Sequence, residues 1–277
     1  MTEAVLEARD ISYCYTDGVP ALRQVSFCVE QGECVVILGA NASGKSTLLH
    51  LLDGLYFPTK GSILVLGVEL TEETVETPPF SREFRSQVGF LFQNADAQLF
   101  CNTVAEELSF GPLQLRLDSG EIEQRVDGIL ELFGISHLRE RSPQTLSGGE
   151  KKKVALASVM VTGPTMLLLD EPTGGLDPRS QRWLVELIKE LQTADKTLVI
   201  ATHDLSIVEE IAGRVLVLSE DGRLVAQGPP TTILDNTELL LSANLIHEHV
   251  HAHGEVSHRH PHGHYLGHRH PHQSHEA

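Results

Sequence analysis

A chain of 277 residues with 41% hydrophobic content is long enough to bury one large core, and its formal charge of -17 opposes binding to nucleic-acid phosphates. No run approaches the roughly 18 apolar residues needed to span a bilayer, and the opening MTEAVLEARD lacks the basic and apolar regions of a signal peptide. Four scattered cysteines, Cys14, Cys28, Cys34 and Cys101, show no CxxC pairing, so they predict neither a disulfide framework nor a thiolate metal site.

In chain order, residues 4 to 30 alternate as antiparallel strands do. Cys34 to Leu38, Val88 to Phe92, Met166 to Leu169 and Thr197 to Ala201 are continuous apolar runs, the pattern of buried parallel strands. Between them, Lys45 to Leu52, Gly120 to Phe133, Gly149 to Val161 and Arg179 to Leu191 carry apolar residues at helical spacing. Leu99 to Ser142 has no strand pattern, which predicts a helical subdomain over about 99–160. Asp221-Gly222, between Val215 to Leu218 and Leu224 to Ala226, is a hairpin signal. The fold class that follows is α/β, with a parallel core, a flanking antiparallel sheet and an inserted helical subdomain.

From His247 to His275, twelve of the fifteen histidines lie among Pro, Gly and Ser. With few apolar anchors to offset the entropy of ordering, residues 244–277 are expected to be a disordered tail beyond a folded domain of residues 1–243.

Gly39-Ala40-Asn41-Ala42-Ser43-Gly44-Lys45-Ser46 follows a predicted strand and opens a predicted helix that continues with Thr47, as a P-loop does. Glycines let the backbone approach phosphate oxygens, amides at the helix N-terminus point at the anion, Lys45 adds positive charge, and Ser46 can ligate Mg²⁺. Met166 to Leu169 then ends in Asp170 and Glu171. Asp170 is expected to hold Mg²⁺ through its water shell, and Glu171 to orient or deprotonate an attacking water. Leu146-Ser147-Gly148-Gly149-Glu150 precedes an amphipathic helix and forms a second anion device. One ATP has one γ-phosphate, so this second device makes most sense completing the site of a neighbouring copy.

LSGGE between a P-loop and LLLDEP resembles the ATP-binding cassette family over about residues 4 to 240. The resemblance implies ATP hydrolysis, and assigns Gln93 as the glutamine that contacts Mg²⁺ and water and senses a membrane partner. It assigns Asp177 as the acid coupling two sites, His203 as the switch histidine at the γ-phosphate, and Tyr15, ahead of Tyr13, as the aromatic stacked on adenine. It also implies a second ATPase chain, expected to be an identical copy, and separate integral membrane subunits at the cytoplasmic face of the cell membrane. The chain departs from the family at EKKKVALA, where a glutamine and arginines are more usual, and at GGLD in place of SALD. These departures are expected to alter helix-surface contacts and leave hydrolysis intact.

LFQNADAQLFCNTVAEELSFGP and DISYCYTDGVPALRQVSF most resemble the ATPases of energy-coupling-factor importers, a group that takes up vitamins, cobalt and nickel. The tail points the same way: His247, His249, His251, His253, His258, His260, His262 and His264 have the His-x-His spacing that brings imidazoles to one ion such as Ni²⁺ or Co²⁺. Nickel or cobalt import is the expectation. Export, vitamin import and metal storage stay open.

Overall fold

Five consecutive apolar residues can be buried on both faces only in the middle of a layered structure, and Cys34–Leu38 is such a run, with every residue buried. The computed structural model describes residues 4–253 and 256–263. Along the chain the strands and helices are β1 (Ala4–Cys14), β2 (Pro20–Glu30), β3 (Cys34–Leu38), α1 (Lys45–Leu52), β4 (Lys60–Val65), β5 (Val68–Glu69), α2 (Glu72–Glu76), α3 (Phe80–Gln87), β6 (Val88–Leu91) and α4 (Ala95–Gln98). There follow α5 (Val104–Gln114), α6 (Ser119–Leu132), α7 (Gly148–Met160), β7 (Met166–Asp170), α8 (Pro178–Thr193), β8 (Thr197–Thr202), α9 (Leu205–Ile211), β9 (Arg214–Leu218), β10 (Leu224–Gly228), α10 (Pro230–Leu234) and α11 (Thr237–Ser242).

The central sheet has the order β10-β9-β3-β8-β7-β6. All its pairings are parallel except the β9–β10 hairpin around Asp221-Gly222. Because successive side chains of a strand point to opposite faces, β3 divides its residues between two cores. Val36 and Leu38 join a cluster with Leu167, Leu169, Leu198 and Ile200, beneath α6 to α9. Val35 and Ile37 join the opposite cluster with Met166, Leu168, Val199, Ala201 and the α1 leucines. On that second side lies the antiparallel sheet, ordered β2-β1-β4-β5, and its inward residues Leu6, Ile11, Val25 and Ile63 close the layer.

The helical stretch expected after β6 from its lack of strand pattern is met by α4 to α7, with no strand among the described residues between β6 and β7. Their starts are written in the sequence: Thr103 and Glu106 form a capping box on α5, and Ser147 and Glu150 form one on α7.

Parallel register decides where function can sit. Leu38 pairs with Thr202, Ala201 with Asp170, and Leu169 with Leu91, so β3, β8, β7 and β6 all end at the same edge. The P-loop, His203, Glu171 and Gln93 each follow one of these ends.

The histidine-rich segment, expected without order, has two paired strands, β11 (Ile246–His253) and β12 (Val256–Gly263), joined in antiparallel register. Residues 264–277 lie outside the described residues. Leu245 and Ile246, just before the histidines, belong to the main core.

A chain ending after Ile246 is therefore expected to unfold at the temperature of the full chain. One ending after Ser242 also loses buried Leu245 and should be less stable by about 2–5 kcal/mol. Calorimetry on the two truncations checks both.

Candidate functional site

The loop from Gly39 to Gly44 joins β3 to α1, and its conformation suits only small residues. Gly44 has a φ of 94°, and a Cβ there would come within 2.6 Å of the Ala21 carbonyl oxygen. Ala42 is also left-handed, at 64°. Gly44 caps α1 without a side-chain hydrogen bond, which leaves the first amides of the helix for another acceptor. They open on a cleft of about 340 Å³ lined by Tyr15, Asn41, Ala42, Lys45, Thr47, Gln93 and Glu171, among others.

At the floor of that cleft two buried charges meet. Lys45 Nζ lies 3.3 Å from Glu171 Oε1 and donates to the carbonyls of Gly39 and Ala40. The Thr202 hydroxyl donates to Glu171 Oε2 at 3.2 Å, and His203 Nδ1 lies 2.9 Å from Oε1. Glu171 has a φ of 42°, unusual for a side chain of its size. Sequence reasoning had Lys45, Glu171 and His203 but missed Thr202, whose signal was only its place before the histidine.

Asp170, one residue earlier, is oriented differently. Its Oδ1 is buried with no protein partner. Burial pushes its carboxyl pKa up, against the Ser46 hydroxyl bonded to it. An orphaned carboxylate oxygen beside a hydroxyl is a hard-oxygen donor pair that fits Mg²⁺, and Gln93 stands at the same cleft.

The aromatic candidates separate cleanly. Tyr15 lines the cleft, is 37% exposed and shares a 2.7 Å hydrogen bond with Thr47. Tyr13 stacks on Tyr56 at 5.5 Å and is not among the lining residues.

Ser147, Gly148 and Gly149 do not join this cleft. Ser147 and Gly149 line a second groove of about 560 Å³ with Asp177, Lys153 and Trp183. Asp177 caps α8 there, its carboxylate accepting from the amides of Arg179 and Ser180 and from the Ser180 hydroxyl. The P-loop and Ser147–Gly149 thus line two separate clefts of one chain.

The ABC transporter family model matches residues 22–174, more than half of the chain. The nickel import ATP-binding protein NikO of Rhodobacter capsulatus is 45% identical over 249 residues, covering 89% of this chain and 97% of that protein. The solved structure of cbiO1 from Clostridium perfringens, part of the ABC transporter complex cbiONQ, is 36% identical with a TM-score of 0.74, covering 88% of this chain and 95% of that one. A dimeric ATP-binding cassette in a post-hydrolysis state, bound to ADP and Pi, is 25% identical with a TM-score of 0.74 over 81% of this chain and 98% of its own. The chain belongs to the ABC transporter ATPase family. It is an ATP-hydrolysing transporter subunit, and no described helix is long and apolar enough to cross a membrane.

In this ABC ATPase the run Glu150-Lys151-Lys152-Lys153 behaves differently from the helix-surface contacts expected of it. Lys151 pairs with Asp96 at 2.6 Å and Lys153 sits over the Trp183 ring, both near the surface. Lys152 is only 5% exposed. Burial pushes its ammonium down to about 8, against the pull of Asp170 and Glu171. Helical periodicity can mark Lys152 as inward-facing, but a polar triplet reads as a solvated face.

Gly44→Ala is expected to weaken ATP binding at least about tenfold, since the added methyl meets backbone and the left-handed φ is strained by roughly 1–2 kcal/mol. Titration with a fluorescent ATP analogue checks this.

Proposed function

We propose that this ABC ATPase hydrolyses MgATP between two copies of the chain and so drives import of a transition-metal ion, nickel or cobalt, through separate membrane subunits. The observation that carries the two-copy arrangement is the separation of the P-loop cleft from the Ser147–Gly149 groove, with neither set of residues degraded. Two chains closing head to tail complete both sites. The catalytic unit in this reading runs past the expected 1–243 to Ile246, because Leu245 and Ile246 pack in the main core, with α4 to α7 as its helical subdomain and the histidine-rich residues after Ile246 as an appended module, at the cytoplasmic face of the membrane.

Each residue then has a task. Tyr15 stacks on adenine at the mouth of the cleft. Amides of Gly39 to Thr47, including those of Asn41, Ala42, Ser43 and Gly44, cradle the phosphates, and Lys45 neutralises them. Ser46, Asp170 and Gln93 would hold Mg²⁺, which when bound spreads the phosphate charge. Glu171, aligned by Thr202 and His203, takes the proton of the attacking water, and His203 also meets the γ-phosphate. Ser147, Gly148 and Gly149 of the other copy close over the same phosphate, and Asp177 couples the two sites.

Import is supported by the NikO and cbiO1 likenesses and by the importer-like segment around Gln93. The tail supports a transition metal. Backbone register sets His247 opposite His262, His249 opposite His260, and His251 opposite His258. His253 stands opposite Val256, and His264 lies outside the described residues.

Glu171→Gln is expected to bind ATP, hold the two chains together and lose about 10²–10⁴-fold in turnover, the usual contribution of a general base. Full turnover in that variant overturns the assignment. In cells carrying the native transporter with Lys45→Ala in place of the wild-type chain, nickel or cobalt content should fall while zinc and copper do not. A rise would mean export, and no change would remove the metal assignment.

A further inference from the structure

The amino group of Lys152 extends from the first turns of α7 to the ends of two other elements. It lies 2.9 Å from the Gln93 carbonyl oxygen, 3.4 Å from that of Phe92 and 3.5 Å from that of Glu171. The first of these is a full hydrogen bond and the other two are at the outer limit of one. Among the described residues Lys152 has no ion-pair partner within 4 Å, so these carbonyls are what receives a buried ammonium.

A buried charge is costly, and an apolar side chain of equal length would serve packing better. What the ammonium does that an apolar chain cannot is hold three carbonyls at once. Two of them belong to Gln93 and Glu171, which both line the P-loop cleft. Glu171 needs such a hold: its φ of 42° is strained, so the direction of its carboxylate depends on its backbone being fixed from several sides. Its amide donates to Ala201 and its carbonyl accepts from Gly174, and Lys152 approaches that carbonyl from the helical side. The other end of the connection is short. Lys152 lies on the same helix as Ser147 to Gly149, about one turn from them.

We propose that Lys152 is a positioning residue that ties the helix carrying Ser147–Gly149 to the backbone of Gln93 and Glu171, so that closure of one copy on the other sets the hydrolytic geometry of its own site. The inference rests on the roles given above to Gln93 and Glu171. It makes Lys152 a determinant of turnover and not of ATP affinity, since it lies outside the lining of the P-loop cleft.

The test is steady-state ATPase of the full-length chain with MgATP for wild type, Lys152→Met, Lys152→Gln and Glu171→Gln, with the folded fraction fixed by calorimetry. Lys152→Met, equal in length and without a donor, should lower kcat at least about tenfold and move KM by no more than about twofold. Lys152→Gln, which keeps an N–H donor, should recover part of that loss. If Lys152→Met does not fold, the split between kcat and KM is read from Lys152→Gln alone. Wild-type kcat in whichever variant folds, or a loss carried by KM, overturns the proposal while leaving Glu171 untouched. Turnover retained by Glu171→Gln would instead bring down the reading on which it rests.

Discussion

Lys45 and Glu171 face each other 3.3 Å apart with about a twentieth of each side chain exposed, and the rest of the site is arranged around that pair. Neither charge could be left alone there, since removing one partner of a buried pair typically costs about 3–5 kcal/mol. The protein offsets desolvation by filling the remaining valences: Gly39 and Ala40 carbonyls on the lysine, Thr202 and His203 on the carboxylate. Each of these groups stands at a strand end. The pair can form only because β3, β7 and β8 are neighbours in one parallel sheet and finish at one edge.

That edge is where open α/β sheets take ligands, since loops leaving parallel strands there are free to converge. Here the convergence has a division of labour. β3 leads into the P-loop, β7 into Asp170 and Glu171, β8 into His203 and β6 into Gln93. The two apolar clusters on either face of the sheet fix the strand ends relative to one another, so burial far from the cleft holds the reacting groups in register.

Local patterns made most of this legible. The four apolar runs at Cys34, Val88, Met166 and Thr197 each became a parallel strand starting at the residue read, because a fully apolar run has only one place in a layered fold. The phosphate motif was equally readable, since glycine spacing encodes backbone shape directly. What a sequence does not display is which atom a long side chain reaches. Lys152 reads as one of three surface lysines, yet it crosses to strands about sixty residues before it and twenty after it in the chain. Tyr13 and Tyr15 are likewise two residues apart, yet Tyr13 lies on β1 stacked on Tyr56 while Tyr15, just past the strand end, meets that ring only edge-on and lines the cleft. The ribbon in the histidine segment escaped a compositional reading, which weighs apolar anchors and takes no account of backbone pairing.

The capping box at Ser147 adds a constraint that the motif alone conceals. Ser147 Oγ donates its one hydrogen to Glu150 Oε2 at 2.7 Å and accepts from the Glu150 amide at 3.4 Å. The Ser147 hydroxyl and, at 2.8 Å, the Ser147 amide both donate to Oε2 and hold the Glu150 carboxyl below its usual range, so at neutral pH the helix start is already occupied by an anion of its own. On the two-copy reading proposed above, a phosphate of the other copy needs that same hydroxyl hydrogen and the same positive end of the helix dipole. It can have them only by displacing Glu150, and like-charge repulsion acts in that direction once the phosphate is near. A glutamine there would give up the hydroxyl without that push. On that reading the acidic variant of the signature makes engagement of the second site an exchange of one anion for another, with the Ser147 hydrogen passing between them.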